Sequence, residues 1–218
     1  ARLRLRGKHG NLDLYVMYFH TGSEVKPHDV ADAGLEHLEH LSNHEFQQLA
    51  YDGHTTKNVL SGQINSPTIS TSSHLVLSIG GNDLLNNISF LSEGPLENIN
   101  DAIAGVQQYI FKPLIKRFET IVEKLSSHRA NLLLCTVYEG DLVDSDEFSD
   151  VSNSSKTMVS IFNDIVYRTA NKYGADVLEL RDIFVSPEDY ANPIEPSHIG
   201  GGKLAKAIRD WVKRNYDL

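Results

Sequence analysis

The chain is nearly free of cysteine: one thiol, Cys135, in 218 residues. No internal disulfide can form, so the fold stands without one. Cys135 lies in the apolar run Leu132-Leu133-Leu134-Cys135-Thr136-Val137 and reads as a buried, inert thiol. A reactive thiolate needs positive charge beside it, and that run carries none. Long apolar runs are lacking as well. No stretch approaches the ~20 residues that cross a bilayer, so no integral membrane segment is expected. Basic charge is scarce: 20 Lys and Arg stand against 29 Asp and Glu, a formal net charge of -9. A nucleic-acid partner needs a basic face for its phosphates, and an anionic membrane surface asks for the same. Neither is expected. The alternating Arg2, Arg4, Arg6 and Lys8 precede a short apolar run, Leu12 to Phe19, with no small-residue cleavage site after it. No signal peptide is expected there, which favours a cytoplasmic location. The first residue is not Met, which leaves room for an upstream segment. Nothing in the residues speaks to oligomeric state.

What is present is an ordinary globular composition. Hydrophobic residues make up 40% and charged residues 22%, and 218 residues suit a single domain over 1–218. Leu12 to Phe19 reads as a first strand and His20-Thr21-Gly22-Ser23 as its turn. Asp29 to Leu41 reads as a helix and Phe46 to Tyr51 as a second strand. Asp52-Gly53-His54-Thr55-Thr56 turns into a helix through Val59 and Leu60. Pro95 to Ser127 is a long helical stretch that Pro113 should kink or split, since it lacks an N–H and clashes with the preceding turn. Asn131 to Tyr138 reads as a buried strand, Thr157 to Tyr173 as a helix capped by Gly174, and Val177 to Leu180 as the last strand. Ser186 to Ser197 is a proline-bearing loop. Gly200 to Gly202 lead into a final helix with Leu204, Ala205, Ile208, Trp211 and Val212 inward. Strands alternating with helices predict an α/β fold: a mostly parallel sheet covered on both faces, a three-layer α/β/α sandwich.

The most informative stretch is Leu75-Val76-Leu77-Ser78-Ile79-Gly80-Gly81-Asn82-Asp83-Leu84-Leu85. A buried strand stops at two glycines and hands over to a helix. One reading makes Asn82 or Asp83 the helix N-cap. The other makes Asn82 a neutral amide donor at a strand end, where open α/β sheets keep their sites.

Four short blocks on this frame resemble the SGNH, or GDSL-type, hydrolase family. Gly80-Gly81-Asn82-Asp83 matches that family's third block, Gly-x-Asn-Asp. Asp52-Gly53-His54-Thr55-Thr56 resembles the second, whose glycine lends an N–H to the oxyanion hole. Phe162-Asn163-Asp164-Ile165 and Gly174-Ala175-Asp176-Val177-Leu178-Glu179-Leu180 resemble the helix and strand that lead to the last block. The resemblance implies a serine nucleophile acting on a small-molecule ester or acetylated substrate, with no metal or organic cofactor. Its oxyanion hole would come from Gly53 and Asn82.

Two blocks depart from the pattern. The first, Gly-Asp-Ser, is not intact. By position after the first strand Ser23 is the nucleophile; in another register Tyr15-Val16-Met17 fills the slot, and a methionine cannot attack a carbonyl. The last block is readable two ways. Glu195-Pro196-Ser197-His198 offers His198 as base. The frame Ser197-x-x-Gly200-Gly201 instead puts Glu195 in the histidine slot and Asn192 in the aspartate slot. Histidine suits a neutral-pH base; glutamate does so when burial raises its pKa. The degenerate first block also admits a non-catalytic, ligand-binding member of the same fold. A third chemistry starts from His37, His40 and His44, whose helical spacing could gather imidazoles for a metal. Leu35, Leu38 and Leu41 make a plain amphipathic helix the simpler account. The acidic run Asp141 to Asp150 reads as a solvated loop.

Overall fold

A computed structural model describes residues 6–7, 10–11, 13–17, 45–51, 53–87, 98–142 and 151–216. Five strands form one parallel sheet: β1 (Asp13–Met17), β2 (Glu45–Gln48), β3 (His74–Ser78), β4 (Asn131–Cys135) and β5 (Asp176–Leu178). Their order across the sheet is β2-β1-β3-β4-β5. The central strand β3 pairs with β1 in the register Met17↔Leu77 and with β4 in the register Ser78↔Cys135. Separate from this sheet are a two-residue ladder, Arg6–Gly7 with Gly10–Asn11, and a hairpin of β6 (Tyr190–Asn192) and β7 (Glu195–Pro196).

Alternation along β3 and β4 sends side chains to two separate cores, as the pleat requires. Leu75, Leu77, Leu132 and Leu134 join one core and Val76, Leu133 and Cys135 the other. The first core lies under α4 (Lys112–Ser126) and α5 (Ser152–Tyr173), whose Phe118, Ile121, Phe162 and Val166 are buried in it. The second lies under α6 (His198–Tyr216), which turns Leu204, Ala205, Ile208, Trp211 and Val212 inward. Both faces of the sheet are thus covered, and the expected three layers are present. Cys135 is 2% exposed, and burial pushes its thiol up to about 12.

Several boundaries move for identifiable reasons. The stretch before Pro113 splits into α3 (Ile99–Gly105) and a π-helical turn (Val106–Phe111), and α4 begins with Pro113 in its first turn. A proline there has no N–H to give, so the ladder shifts register ahead of it. The last strand is Asp176–Leu178, because Leu180–Asp182 already turns into a 3₁₀ helix. Helix α5 starts at Ser152, and Gly174 closes it in the left-handed region at φ 69°. Gly200 to Gly202 lie inside α6 rather than ahead of it. A Cβ at Gly200 would sit 2.2 Å from the Asp189 carbonyl oxygen, so glycine lets the helix start against that backbone. The helix expected over Asp29 to Leu41, the His37, His40 and His44 cluster, Ser23, and all of the acidic run beyond Leu142 lie outside the described residues. Among the described residues no helix is long and apolar enough to cross a membrane, and no group of three His, Cys, Asp or Glu could hold a metal ion.

Candidate active site

The strand order reverses between β1 and β3, and ligands of open α/β sheets bind beyond the carboxyl ends of strands at such a point. Strand β3 leaves the sheet there through Ile79 and Gly80. Gly80 sits at φ 113°, and a Cβ on it would lie 2.3 Å from the Phe162 ring. Backbone and packing both exclude a side chain. Gly80 is the N-cap of α2 (Gly81–Leu85), so neither Asn82 nor Asp83 caps that helix. Both are in its first turn, and both are buried, at 4% and 5% exposure.

Their side chains reach across to the segment that follows β2. Asn82 donates from Nδ2 to the His54 carbonyl at 3.1 Å. A carboxamide nitrogen carries two hydrogens, so one is left for a ligand. Asp83 accepts from the Thr56 backbone N–H at 2.8 Å, the Thr56 hydroxyl at 2.7 Å and the Arg117 guanidinium at 3.0 Å. Arg117 also donates from Nε to the Thr56 hydroxyl at 2.7 Å. Thr56 opens α1 (Thr56–Ser61), whose first N–H groups have no partner within the helix. A carboxylate at that end satisfies one and suits the helix dipole. Arg117, on α4, bolts the two loops to each other. Arg117→Met should therefore cost about 1–3 kcal/mol, as expected when a buried carboxylate loses its charged donor. Urea unfolding of the variant measures it.

Gly53 lies in the same turn at φ 69°, exposed, with open space where a Cβ would be. His54 follows. Gln63 donates its amide nitrogen to the Leu49 carbonyl, so its oxygen faces His54, 3.1 Å from Nδ1. That makes Nδ1 the protonated ring nitrogen.

The opposite wall is the segment after β4. Asn163, 1% exposed on α5, closes two 2.8 Å hydrogen bonds on Val137, accepting from its N–H and donating to its carbonyl. The Tyr138 hydroxyl donates to the Ile194 carbonyl and the Asp141 N–H to the Pro193 carbonyl, each at 2.8 Å. Gly140, at φ 75°, would place a Cβ 2.6 Å from the Pro193 oxygen. This wall is thereby pinned to the β6–β7 hairpin. Between the walls is a cleft of about 90 Å³, lined by Asn82, Leu84, Leu85, Val137, Met158 and Ile194 among others.

Within the hairpin, Asn192 accepts from the N–H groups of Ile194 and Glu195 at 3.0 Å and donates from Nδ2 to Glu195 Oε2 at 2.5 Å. Glu195 is fully buried. His198 is elsewhere: it is exposed, the first residue of α6, and does not line the cleft. Ser197 precedes it and accepts from the N–H groups of Ile199 and Gly200, a capping role. Asp189, also fully buried, is held by Lys203 and the Val185 and Ser186 N–H groups. Burial pushes its carboxyl up, and these partners outweigh that and hold it below the usual carboxylate range.

A third polar knot braces the base of the cleft. Thr136, which lines it, donates to Glu179 at 2.8 Å and accepts from the Leu180 N–H at 2.8 Å. Burial pushes Glu179 up, but bonds from the Arg181 side chain and N–H, Thr136 and Tyr167 prevail and hold its carboxyl at about 2. A depressed folded-state value stabilises above the unfolded pKa, and that stability disappears as pH falls. The loss runs from the unfolded 4.5 down to about 2. Glu179→Gln should flatten the acid limb of thermal stability across that window, read by calorimetry as a function of pH.

No family model and no curated protein matches the sequence. Solved structures do match. An extracellular lipase from Streptomyces rimosus is similar over 91% of this chain and 99% of its own, with a TM-score of 0.65 and 16% identity. A GDSL-like lipase from Bacteroides thetaiotaomicron is similar over 98% and 93%, with a TM-score of 0.67 and 10% identity. The fold is that of the SGNH, or GDSL-type, hydrolases. An acetylxylan esterase from Geobacillus stearothermophilus has it too, similar over 93% and 94% with a TM-score of 0.59 and 12% identity. On this SGNH fold the chain brings Gly53 and Asn82 to neighbouring loops and sets Ile194, next to Glu195, in the lining of the cleft. Glu195 and His198 both lie outside that lining.

Arg117, Asn163 and Thr136 were not singled out from the sequence as parts of the site. Asn163 had a legible signal: a polar residue directly after Phe162 on a helix face otherwise made of Met158, Phe162, Ile165 and Val166. Arg117 had a weaker one, a cation between buried Leu114 and Phe118.

Proposed function

We propose that the chain is a carboxylic-ester hydrolase of SGNH type, cleaving ester or acetyl bonds through a serine acyl-enzyme. The observation that carries the reading is Asn82. It is buried at the end of the central strand, one amide hydrogen is spent on the His54 carbonyl, and the side chain borders a cleft. A donor held that rigidly gains from a negative oxygen at no cost in reorganisation. In this reading a serine hydroxyl attacks the ester carbonyl and its proton passes to a base. The carbonyl oxygen becomes an oxyanion, bound by Asn82 Nδ2 and the Gly53 N–H. Collapse expels the alcohol, which takes the proton back, and water repeats the sequence to free the acid. Ser23 is the nucleophile assigned by position after β1. Glu195 and His198 are the two bases, and the Asn192 hydrogen bond that holds the Glu195 carboxylate favours Glu195. Fluorophosphonate labelling with peptide mapping tests the reading. An adduct on Ser23 supports it; no adduct on any serine, with no turnover of short acyl esters, overturns it.

A second reading keeps the fold and drops the chemistry, leaving a ligand-binding protein. Met17 favours it, as the last residue of β1, where one register of the first block puts the nucleophile. Under that reading Asn82→Ala weakens ligand binding and has no rate to change.

A further inference from the structure

The cleft itself limits what can occupy it. Among the described residues its polar lining is largely spent on the protein's own partners. The Thr136 hydroxyl donates to Glu179, the Tyr138 hydroxyl to the Ile194 carbonyl and the Ser155 hydroxyl to the Val151 carbonyl. Glu139 is paired with Lys156 at 3.7 Å. What remains toward the space is mostly hydrocarbon: Leu84, Leu85, Val137, Met158, Val159 and Ile194. A sugar or polyol would find few partners there and would lose its own hydration. An aliphatic chain loses nothing. The wall after β4 is also held in place, since Asn163 bonds both the N–H and the carbonyl of Val137 and Gly140 sits against the Pro193 carbonyl.

Size then sets the guest. A dry apolar cavity of about 150 Å³ takes up benzene, or roughly 25 Å³ per carbon. The cleft holds about 90 Å³, room for roughly three to four carbons at that filling. We propose that this cleft is an acyl-chain pocket, sized for straight acyl groups of about four to five carbons counting the carbonyl. The inference rests on the hydrolase reading for one point only, that the carbonyl sits against Asn82 and the chain runs inward from it. Each methylene buried should raise kcat/KM roughly fourfold. The gain from acetyl to butyryl is then about 16-fold, and octanoyl, which overfills the space, falls below butyryl.

Two measurements test it, one independent of turnover. The first is kcat/KM on p-nitrophenyl esters from acetyl to decanoyl. The second uses the chain's two methionines, Met17 and Met158. With ¹³C-methyl methionine the protein gives two signals, and Met158→Ala assigns them. Butyramide should shift the Met158 methyl saturably, and octanamide should not. Met158→Ala should move the ester optimum to longer chains. Leu85→Trp, at a half-buried position, should move it to acetyl. A profile peaking at acetyl or rising to decanoyl overturns the proposal. So does ester turnover with a Met158 methyl that butyramide leaves unmoved, and in that case the hydrolase reading stands. A saturable shift without turnover of any ester supports the pocket and counts against the hydrolase reading.

Discussion

Asn82→Ala is expected to lower kcat on short acyl esters by about 100- to 1,000-fold with KM changed little, the effect of losing one preorganised oxyanion donor. The split matters. The Nδ2 hydrogen not held by His54 meets a neutral carbonyl weakly and an oxyanion strongly, so its loss falls on the transition state. A structural confound exists, because Asn82 is 4% exposed and its amide satisfies the His54 carbonyl. Removing it leaves that carbonyl short of a partner at a cost of about 1–3 kcal/mol. Urea unfolding of the same variant measures that cost separately. Asn82→Asp sharpens the test: it keeps the size, replaces the donor by an acceptor, and points negative charge at the oxyanion. It should be at least as inactive as Asn82→Ala. A variant that folds, lacks the amide and still turns over esters at the wild-type rate removes Asn82 from the chemistry.

The sheet was legible because its signals are local. Leu75-Val76-Leu77 and Leu132-Leu133-Leu134 are short apolar runs closed by polar or glycine residues, and a strand buried on both faces needs nothing more to be seen. The turn Gly80-Gly81 was legible as a turn, but its physical reason was not. Only Gly80 is forced, by a positive φ and by the Phe162 ring 82 residues later in the chain. Helix caps went the other way. Asn82 and Asp83 have the chemistry of N-caps, and local preference alone would place them there. Tertiary partners took them instead, since Thr56 and Arg117 offer Asp83 three bonds that a cap position could not. The same holds for Asn163, whose two bonds to Val137 span 26 residues. Contacts of that range leave no periodic trace in a sequence. The pairing of Asn192 with Glu195 was partly visible, because a register that placed them in the aspartate and histidine slots needed only the Ser197-x-x-Gly200-Gly201 frame.

That pair carries the second large prediction. In an acid–histidine pair the acid accepts a hydrogen bond from the imidazole and fixes its orientation. Here Asn192 donates to Glu195 Oε2, and its oxygen holds the N–H groups of Ile194 and Glu195. Asn192 thus fixes both the turn and the carboxylate it presents. In the hydrolase reading a carboxylate so held takes the hydroxyl proton itself, and His198 stands exposed at the start of α6. Glu195→Gln is therefore expected to lower kcat by about 100- to 10,000-fold, the range for a lost general base. Gln keeps an oxygen for Asn192 Nδ2, so unfolding by urea should change far less than the rate. His198→Ala should leave kcat near the wild-type value. The reverse pattern, an active Glu195→Gln and an inactive His198→Ala, would return the base to His198 and make the Asn192–Glu195 pair a brace for the hairpin alone.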